Sequence, residues 1–174
     1  MFSEELIAGK VAARNAGKIL MKYFSDSDKK VKYKSFNNPV TIADHEADQY
    51  IADFIGGEFP DDGWLSEETV DTPERLNKSR VWIVDPLDGT KEFIEGVPHF
   101  SVSIALVEDG YPVVGVIYNP YTKEMFSAEK IRELLLMVLR LLYLKNKSLM
   151  IHLLLLVDRS IKKSFGKLIM TTLV

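Results

Sequence analysis

The chain contains no cysteine among its 174 residues, which excludes a disulfide framework, a thiolate zinc site and a thiol nucleophile. Residues 1–20 carry early acidic side chains and lack both an uninterrupted apolar run and a small-residue cleavage site, so they do not resemble a secretion signal. The net charge of −3 gives no overall attraction to nucleic acid polymers or anionic membranes. We therefore expect a cytoplasmic protein that binds neither.

Glycine, proline and acidic residues are nearly missing from the end of the chain. Residues 131–174 hold one of the ten glycines, none of the seven prolines, and 14 leucines. They carry 8 Lys+Arg against 2 Asp+Glu, whereas residues 1–130 carry 14 against 23. The sequence therefore predicts two regions of different kind, an N-terminal metal-binding αβ domain over 1–130 and a basic, leucine-rich tail over 131–174.

Three interpretations of the tail remain open. A membrane span is disfavoured because Arg140 and the basic residues at 145–147 interrupt the apolar run of about 20 residues that a span needs. An amphipathic helix that contacts a partner or a membrane surface is the second interpretation. In the third, a frame shift follows Lys130, since shifting the codons by two nucleotides permits Lys-Gly-Ala-Phe-Ile-Asn-Gly and forces glycine across Met137 and Val138. Such a tail would not be selected to fold.

The first 130 residues predict helices and strands in alternation. Apolar spacing predicts an amphipathic helix up to Phe24 with Ser3 as its N-cap, and a second one from Ile42 that stops at Gly56 and Gly57. Alternating residues predict strands at 31–36, 81–85, 100–108, 111–120 and 124–130, with a hairpin turn at Asp109-Gly110. This order indicates an α+β or layered α/β fold.

Carboxylates cluster at the ends of these predicted elements. Asp85 and Asp88 follow the strand "VWIVD", and Asp44, Glu67 and Glu68 stand at other element ends. A purely structural interpretation is available, in which Pro86 stops the strand, Asp88 caps a helix at 89–94, and Asp44 caps the second helix. The alternative is a Mg²⁺ site, because hard cations prefer carboxylate and carbonyl oxygens and Leu87 adds a carbonyl between the two aspartates.

A helix that begins at Gly89 would add a phosphate site beside such a metal. First-turn N–H groups and the positive end of the helix dipole favour an anion. The Thr90 hydroxyl would stand next to the metal and could orient a water molecule. Two metal ions about 3.5 to 4 Å apart can hold the attacking and leaving oxygens of an in-line displacement. The pattern therefore indicates hydrolysis of a phosphate monoester.

The motifs "NPVTIADHEAD", "LSEE" and "WIVDPLDGTKEF" resemble, in order and spacing, the inositol monophosphatase superfamily of Mg²⁺-dependent and typically lithium-sensitive phosphatases. The resemblance covers residues 1 to about 130. It implies the N-terminal half of the αβαβα sandwich of that superfamily, a phosphoric monoester hydrolase activity, two or three Mg²⁺ ions, and a homodimer of the family type. No part of the tail matches the Trp-Asp-x-Ala-Ala-Gly-like motif of the family's C-terminal half, so we expect a truncated chain that is weak or inactive alone.

The resemblance also implies roles for individual residues. Glu67, Asp85 and the Leu87 carbonyl would bind one metal, Asp85 and Asp88 a second, and Glu67 would face a third. Asp44 and Thr90 would activate the water, and the backbone of Gly89 and Thr90 would meet the phosphate. Lys34 matches a basic position near the site. Glu68 is equally well explained as a solvated neighbour, and His45, His99 and His152 are expected to be surface or packing residues.

The substrate is left open by the motifs. "DGTKEF" resembles the 3'(2'),5'-bisphosphate nucleotidases, which act on 3'-phosphoadenosine 5'-phosphate, whereas "GVPHFSVSIALV" resembles the inositol monophosphate enzymes. Fructose 1,6-bisphosphate is a third candidate. The competing class is a non-catalytic binding or regulatory module that uses the leucine-rich tail as its contact element, in which the carboxylates would only cap helices and turns.

Overall fold

The computed structural model describes residues 3–25, 32–35, 38–40 and 42–129, with side chains described outside 32–40. The predicted tail over 131–174, including the frame-shift hypothesis, lies outside the described residues. Three helices are present in them: α1 Glu4–Phe24, α2 Ile42–Glu58 and α3 Thr90–Glu95, with a 3₁₀ helix at Pro73–Asn77. The strands are β1 Lys32–Ser35, β2 Asn38–Val40, β3 Gly63–Ser66, β4 Arg80–Asp88, β5 Ser101–Glu108, β6 Tyr111–Asn119 and β7 Glu124–Glu129.

Helix α1 begins as the sequence predicts. The Ser3 hydroxyl accepts a hydrogen bond from the Leu6 N–H at 3.2 Å, which satisfies one of the first-turn donors. Its buried face is built largely from small residues, so the helix lies close to the sheet: a Cβ on Gly17 would stand 2.8 Å from the Tyr118 ring. The small side chains of α1 therefore fix a short distance between this helix and β6.

Helix α2 continues past the point where the sequence predicts its end. Gly56 and Gly57 lie inside it, and the Phe59 N–H donates to the Ile55 carbonyl at 2.8 Å. Glycine costs about 1 kcal/mol in a helix interior. The buried Ile55 and the contact of Phe59 with the Trp82 ring, whose centroid is 5.3 Å away, offset that cost. The predicted stop at the two glycines is therefore wrong, because α2 ends one residue after Gly57.

The main sheet has five strands in the order β3-β4-β5-β6-β7, and α1 and α2 pack on one of its faces. Strands β3 and β4 are parallel, whereas the other neighbours are antiparallel. The β5–β6 hairpin turns at Asp109 and Gly110, whose φ angles are 50° and 81°, as the Asp-Gly pair predicts. Strands β1 and β2 form a separate two-stranded sheet. The mixed α+β architecture predicted from the sequence is confirmed.

Strand β4 does not end at Pro86. Its pairing with β5 is interrupted after Asp85 and resumes at Asp88, which lies opposite Ser101. A bulge therefore accommodates the proline, which cannot donate to the ladder. The structural interpretation of the two aspartates is also wrong in its details, because Gly89 and not Asp88 occupies the N-cap position of α3.

An aromatic cluster fixes α3 beside the end of α1. The Phe93 ring on α3 lies 5.0 Å from Phe100, and Phe24 at the end of α1 lies 4.8 Å from Phe100, measured between centroids. Phe93 and Phe100 are fully buried, and aromatic pairs of this geometry contribute about 0.5–1.5 kcal/mol beyond area burial.

In the described part of the chain, no helix is both long and apolar enough to cross a membrane.

Candidate active site

The parallel pairing of β3 and β4 brings two of the predicted metal ligands together. Ser66 lies opposite Val84, and the Glu67 N–H donates to the Val84 carbonyl at 3.2 Å. Glu67 therefore leaves β3 next to Asp85, with which it shares a side-chain hydrogen bond. Both strands run in the same direction, so their carboxyl ends deliver both carboxylates to one edge of the sheet.

Asp85 is a buried carboxyl at this edge whose pKa is shifted far from its ordinary value. Its side chain is buried, and its Oδ1 accepts a hydrogen bond from the Leu87 N–H at 3.1 Å. Burial raises the pKa of Asp85 well above its ordinary range, and the charges of Asp88 and Glu67 raise the pKa further. A buried carboxyl with two further carboxylates beside it is an arrangement that a cation would stabilise.

The bulge between Asp85 and Asp88 contains Leu87, whose carbonyl is one of the predicted oxygen donors. Asp88 is 5% exposed and Leu87 is 2% exposed. The Thr90 hydroxyl donates to the Leu87 carbonyl at 3.0 Å, which leaves that oxygen a second lone pair. The donor set is thus entirely oxygen, as Mg²⁺ requires.

The same hydroxyl also meets helix α2. Thr90 Oγ1 lies 3.4 Å from Asp44 Oδ1, and Asp44 is 2% exposed. Asp44 stands in the first turn of α2, inside the helix, so the N-cap role considered for it is wrong. The predicted pair of Asp44 and Thr90 is brought together by the fold, across the space between α2 and α3.

Gly89 links β4 to α3 in a conformation that other residues rarely adopt. Its φ is +91°, and a Cβ on it would stand 2.6 Å from the His99 carbonyl oxygen. Only glycine fits without movement of the backbone. Helix α3 then begins directly behind Asp88, with the Phe93 N–H donating to the Gly89 carbonyl at 2.9 Å.

Glu68 is not the solvated neighbour that the sequence allows. Its side chain is 5% exposed and lies 3.5 Å from His45 Nδ1, measured from Oε2. His45 itself is more than half exposed, as expected for a surface residue. Lys34 belongs to β1, but its side chain is outside the described part of the structure, so its predicted place near the site stays a prediction.

Two buried polar residues near this edge were not singled out from the sequence. Asp48, one turn after Asp44 on α2, accepts a hydrogen bond from the Ser66 hydroxyl, and Ser66 also accepts one from the Glu68 N–H at 3.2 Å. The i, i+4 spacing of Asp44 and Asp48 places both on one face of the helix. That spacing was the signal in the sequence that could have found Asp48. The hydrogen bond between Ser66 and Asp48 ties α2 to the end of β3.

The carboxylates are near one another without forming a complete cage. Among the described residues, no three His, Asp or Glu side chains converge closely enough to hold a metal ion by themselves. Mg²⁺ in enzymes usually takes one or two carboxylates and keeps water and substrate phosphate as its other ligands. The donor set at this edge fits that mode of binding.

Comparison with known proteins agrees with these features. The model of the inositol monophosphatase family matches residues 3–159. A histidinol-phosphatase of Chlorobaculum parvum is 42% identical over 118 residues, which are 68% of this chain and 45% of that protein. The 3'(2'),5'-bisphosphate nucleotidase CysQ of Salmonella typhimurium is 45% identical over 119 residues, 67% of this chain and 48% of its own length.

Solved structures show the same likeness. The extragenic suppressor protein suhB from Bartonella henselae superimposes with a TM-score of 0.70 at 36% identity, and the match covers 74% of this chain and 50% of that one. The chain thus spans about half the length of the relatives it matches. Since the family match covers most of its residues, the chain belongs to the inositol monophosphatase family.

Proposed function

We propose that the described residues form the metal-binding part of a Mg²⁺-dependent phosphomonoesterase that hydrolyses a small phosphorylated metabolite. The observation that carries the proposal is Asp85, a buried carboxyl whose pKa is raised by burial and by the charges of Asp88 and Glu67. Such an arrangement is costly unless a cation compensates it. The phosphatase names of the relatives support the same reaction class.

The proposed ligand assignment is the one that the family resemblance implies, and the interaction of Asp85 with Glu67 and Asp88 supports it. Glu67, Asp85 and the Leu87 carbonyl are proposed to hold one Mg²⁺, Asp85 and Asp88 a second, and Glu67 a third ion on its exposed side. When bound, Mg²⁺ would withdraw charge from the phosphate oxygens and make a water molecule more acidic.

The protein side of the reaction is assigned to the residues around Thr90. Asp44 and the Thr90 hydroxyl, 3.4 Å apart, are proposed to orient the attacking water and to accept its proton at a carboxylate oxygen. The backbone N–H groups of Gly89 and Thr90 are proposed to meet the phosphate, since first-turn N–H groups have no intrahelical acceptor. The backbone conformation of Gly89, with its φ of 91°, would set the position of those donors.

The substrate belongs to the class of small phosphate monoesters. The relatives carry names with different substrates, among them a histidinol-phosphatase and a bisphosphate nucleotidase. We therefore propose a panel of inositol 1-phosphate, 3'-phosphoadenosine 5'-phosphate, fructose 1,6-bisphosphate and histidinol phosphate. Activity of the 174-residue chain by itself is expected to be low, because it spans about half the length of these relatives.

The proposal is tested by metal binding first and turnover second. Thermal unfolding is followed as Mg²⁺ is titrated into the chain, and phosphate release from the panel is measured with Mg²⁺ and with EDTA. We expect Mg²⁺ to raise the unfolding temperature, because a ligand that binds the native state stabilises it. Any phosphate release should need Mg²⁺.

Two matched substitutions make the test specific. Asp85→Asn should abolish both the thermal shift and the phosphate release. Asp53→Asn is the control, because Asp53 is exposed on α2 and accepts a hydrogen bond only from the nearby Gln49 among the contacts described. A chain that shows no Mg²⁺ shift, or an Asp85→Asn variant that shifts like the parent, would favour the non-catalytic binding module instead.

A further inference from the structure

Two serine hydroxyls are buried in the sheet beside the metal-binding edge. Ser101 is 0% exposed and Ser103 is 2% exposed. Within the part of the chain that the structure describes, neither hydroxyl has a hydrogen-bond partner. Burial of a hydroxyl without a partner costs free energy, so a buried hydroxyl kept in this state calls for an explanation.

The strand register places each serine opposite a proposed metal ligand. Ser103 pairs with Asp85 and Ser101 pairs with Asp88 across the β4–β5 ladder. Residues directly opposite in an antiparallel pair project from the same face, with Cβ atoms about 4.5–5.5 Å apart. Each hydroxyl thus has a carboxylate as its cross-strand neighbour on one side.

The other neighbours of Ser103 are apolar. Ile117 on β6 lies opposite it on its second side, and Ala105, the next residue of β5 on the same face, pairs with Ile83. Alanine would pack at these two positions of β5 as well as serine if packing were the only requirement. The two hydroxyls therefore stand in place of apolar side chains at the positions that pair with the carboxylates.

We propose that Ser103 and Ser101 are positioning residues, whose hydroxyls donate to the carboxylates of Asp85 and Asp88 when these bind Mg²⁺. Ligating carboxylates are commonly held by hydrogen bonds from outside the metal's own ligand set, and loss of such a bond lowers metal affinity about 10- to 100-fold. The inference rests on the proposed function, because it assumes that the two aspartates bind a cation.

The proposal predicts opposite effects in two states of the protein. Ser103→Ala and Ser101→Ala remove a buried hydroxyl that has no partner among the described residues, so the unfolding temperature in EDTA should stay the same or rise. In each variant, however, the midpoint of the Mg²⁺-induced thermal shift should move to about tenfold higher Mg²⁺. A merely structural serine would not produce this combination.

Rescue and control variants complete the experiment on the full chain. Ser103→Thr keeps a hydroxyl and should therefore show the parental Mg²⁺ midpoint. Its thermal shift is measured relative to its own unfolding temperature in EDTA. Ser66→Ala is the contrasting control: its hydroxyl donates to Asp48, so its loss should lower stability in EDTA.

The outcomes separate the two proposals. If the parent shifts with Mg²⁺ and both alanine variants shift with the same midpoint, the serine assignment is overturned and the proposed function stands. The assignment is also overturned if the alanine variants lose stability in EDTA in proportion to their loss of Mg²⁺ affinity. If the parent itself shows no shift, both proposals fail together.

Discussion

The Asp44 carboxylate on α2 lies 3.4 Å from the Thr90 hydroxyl on α3, although 46 residues separate them in the chain. Thr90 also donates to the Leu87 carbonyl at 3.0 Å, so one hydroxyl joins a helix, the strand bulge and the start of α3. The pair depends on the packing of α2 against β4. It connects the proposed proton acceptor to the proposed metal ligands through a single side chain.

Removal of this hydroxyl should separate catalysis from metal binding. Thr90→Val keeps the shape and loses the hydrogen bonds, which should cost about 1 kcal/mol of stability. Metal-dependent phosphate release should fall about 100-fold, while the Mg²⁺-induced thermal shift stays within about twofold of the parental midpoint. Thr122→Val in the exposed β6–β7 turn is the control. Undiminished phosphate release by Thr90→Val would contradict the role assigned to Thr90.

The raised pKa of Asp85 predicts how stability depends on pH without metal. The folded-state pKa lies above the unfolded value, so the protonated carboxyl contributes stability below about pH 4. That contribution is lost as pH rises through the folded-state pKa. Chemical unfolding in EDTA between about pH 4 and 8 should therefore show a loss of stability that Asp85→Asn removes. If the parent and Asp85→Asn showed the same pH dependence of stability, Asp85 would not be the carboxyl with the raised pKa.

Gly89 should tolerate no side chain. Gly89→Ala combines a φ of +91° with a Cβ 2.6 Å from the His99 carbonyl oxygen, and such strain costs about 1–3 kcal/mol or more. Gly110→Ala has a φ of +81° and open space around it, so it measures the backbone strain alone and should cost less. Gly56→Ala, inside α2 and without close contacts, should stabilise by about 0.5–1 kcal/mol. Equal losses for Gly89→Ala and Gly110→Ala would exclude the clash as a cause.

A partly buried ion cluster joins the start of α1 to the start of β4. Arg80 Nη1 lies 3.0 Å from Glu5 Oε1, and Arg80 Nε lies 3.1 Å from Asp62 Oδ1. Asp62 also accepts a hydrogen bond from the Trp82 indole at 2.9 Å. Asp62→Asn should cost about 1–3 kcal/mol in chemical unfolding, because a charged, largely buried hydrogen-bond acceptor is lost.

The exposed pair of Asp71 and Arg75 is the natural comparison for that cluster. It has similar contact distances, with Nε and Oδ1 2.6 Å apart, but nearly half of the Asp71 side chain is exposed. Asp71→Asn should have no measurable effect on unfolding, since exposed ion pairs contribute little. A larger loss for Asp71→Asn than for Asp62→Asn would show that burial does not decide the strength of these pairs.

Local signals were sufficient to predict much of the fold. Ser3 marks the start of α1 because a hydroxyl at that position satisfies a backbone donor, and Asp109-Gly110 marks a hairpin because both residues adopt positive φ readily. Alternating apolar residues identified the strands that form the antiparallel part of the sheet. Each of these features depends on residues that are neighbours in the chain.

The errors concern contacts between distant segments. Gly56 and Gly57 signal a helix end, but the packing of Phe59 on Trp82 extends α2 beyond them. Pro86 signals the end of a strand, but the bulge allows pairing to resume at Asp88. The burial of Glu68 likewise follows from its position between β3 and α2, which no local pattern shows.

The candidate site was predictable in its residues and less so in its arrangement. The motif around Asp85 and Asp88 predicted the oxygen donors, and the structure places Glu67 beside Asp85 and Asp44 beside Thr90. The link between Asp48 and Ser66 and the two serines of β5 depend on pairing register and helix packing. Register is set by tertiary contacts, so the neighbours of these residues could not be predicted from the local sequence.

The parallel pairing of β3 and β4 has a consequence for how this protein can vary. Glu67 and Asp85 are held together by the strands themselves, through the register that sets Ser66 opposite Val84, whereas residues 68–79 leave the sheet and return to it as a largely exposed excursion. Insertions or deletions in that excursion would leave the distance between the two carboxylates unchanged. The length of this excursion and the separation of the two carboxylates are therefore set independently of each other.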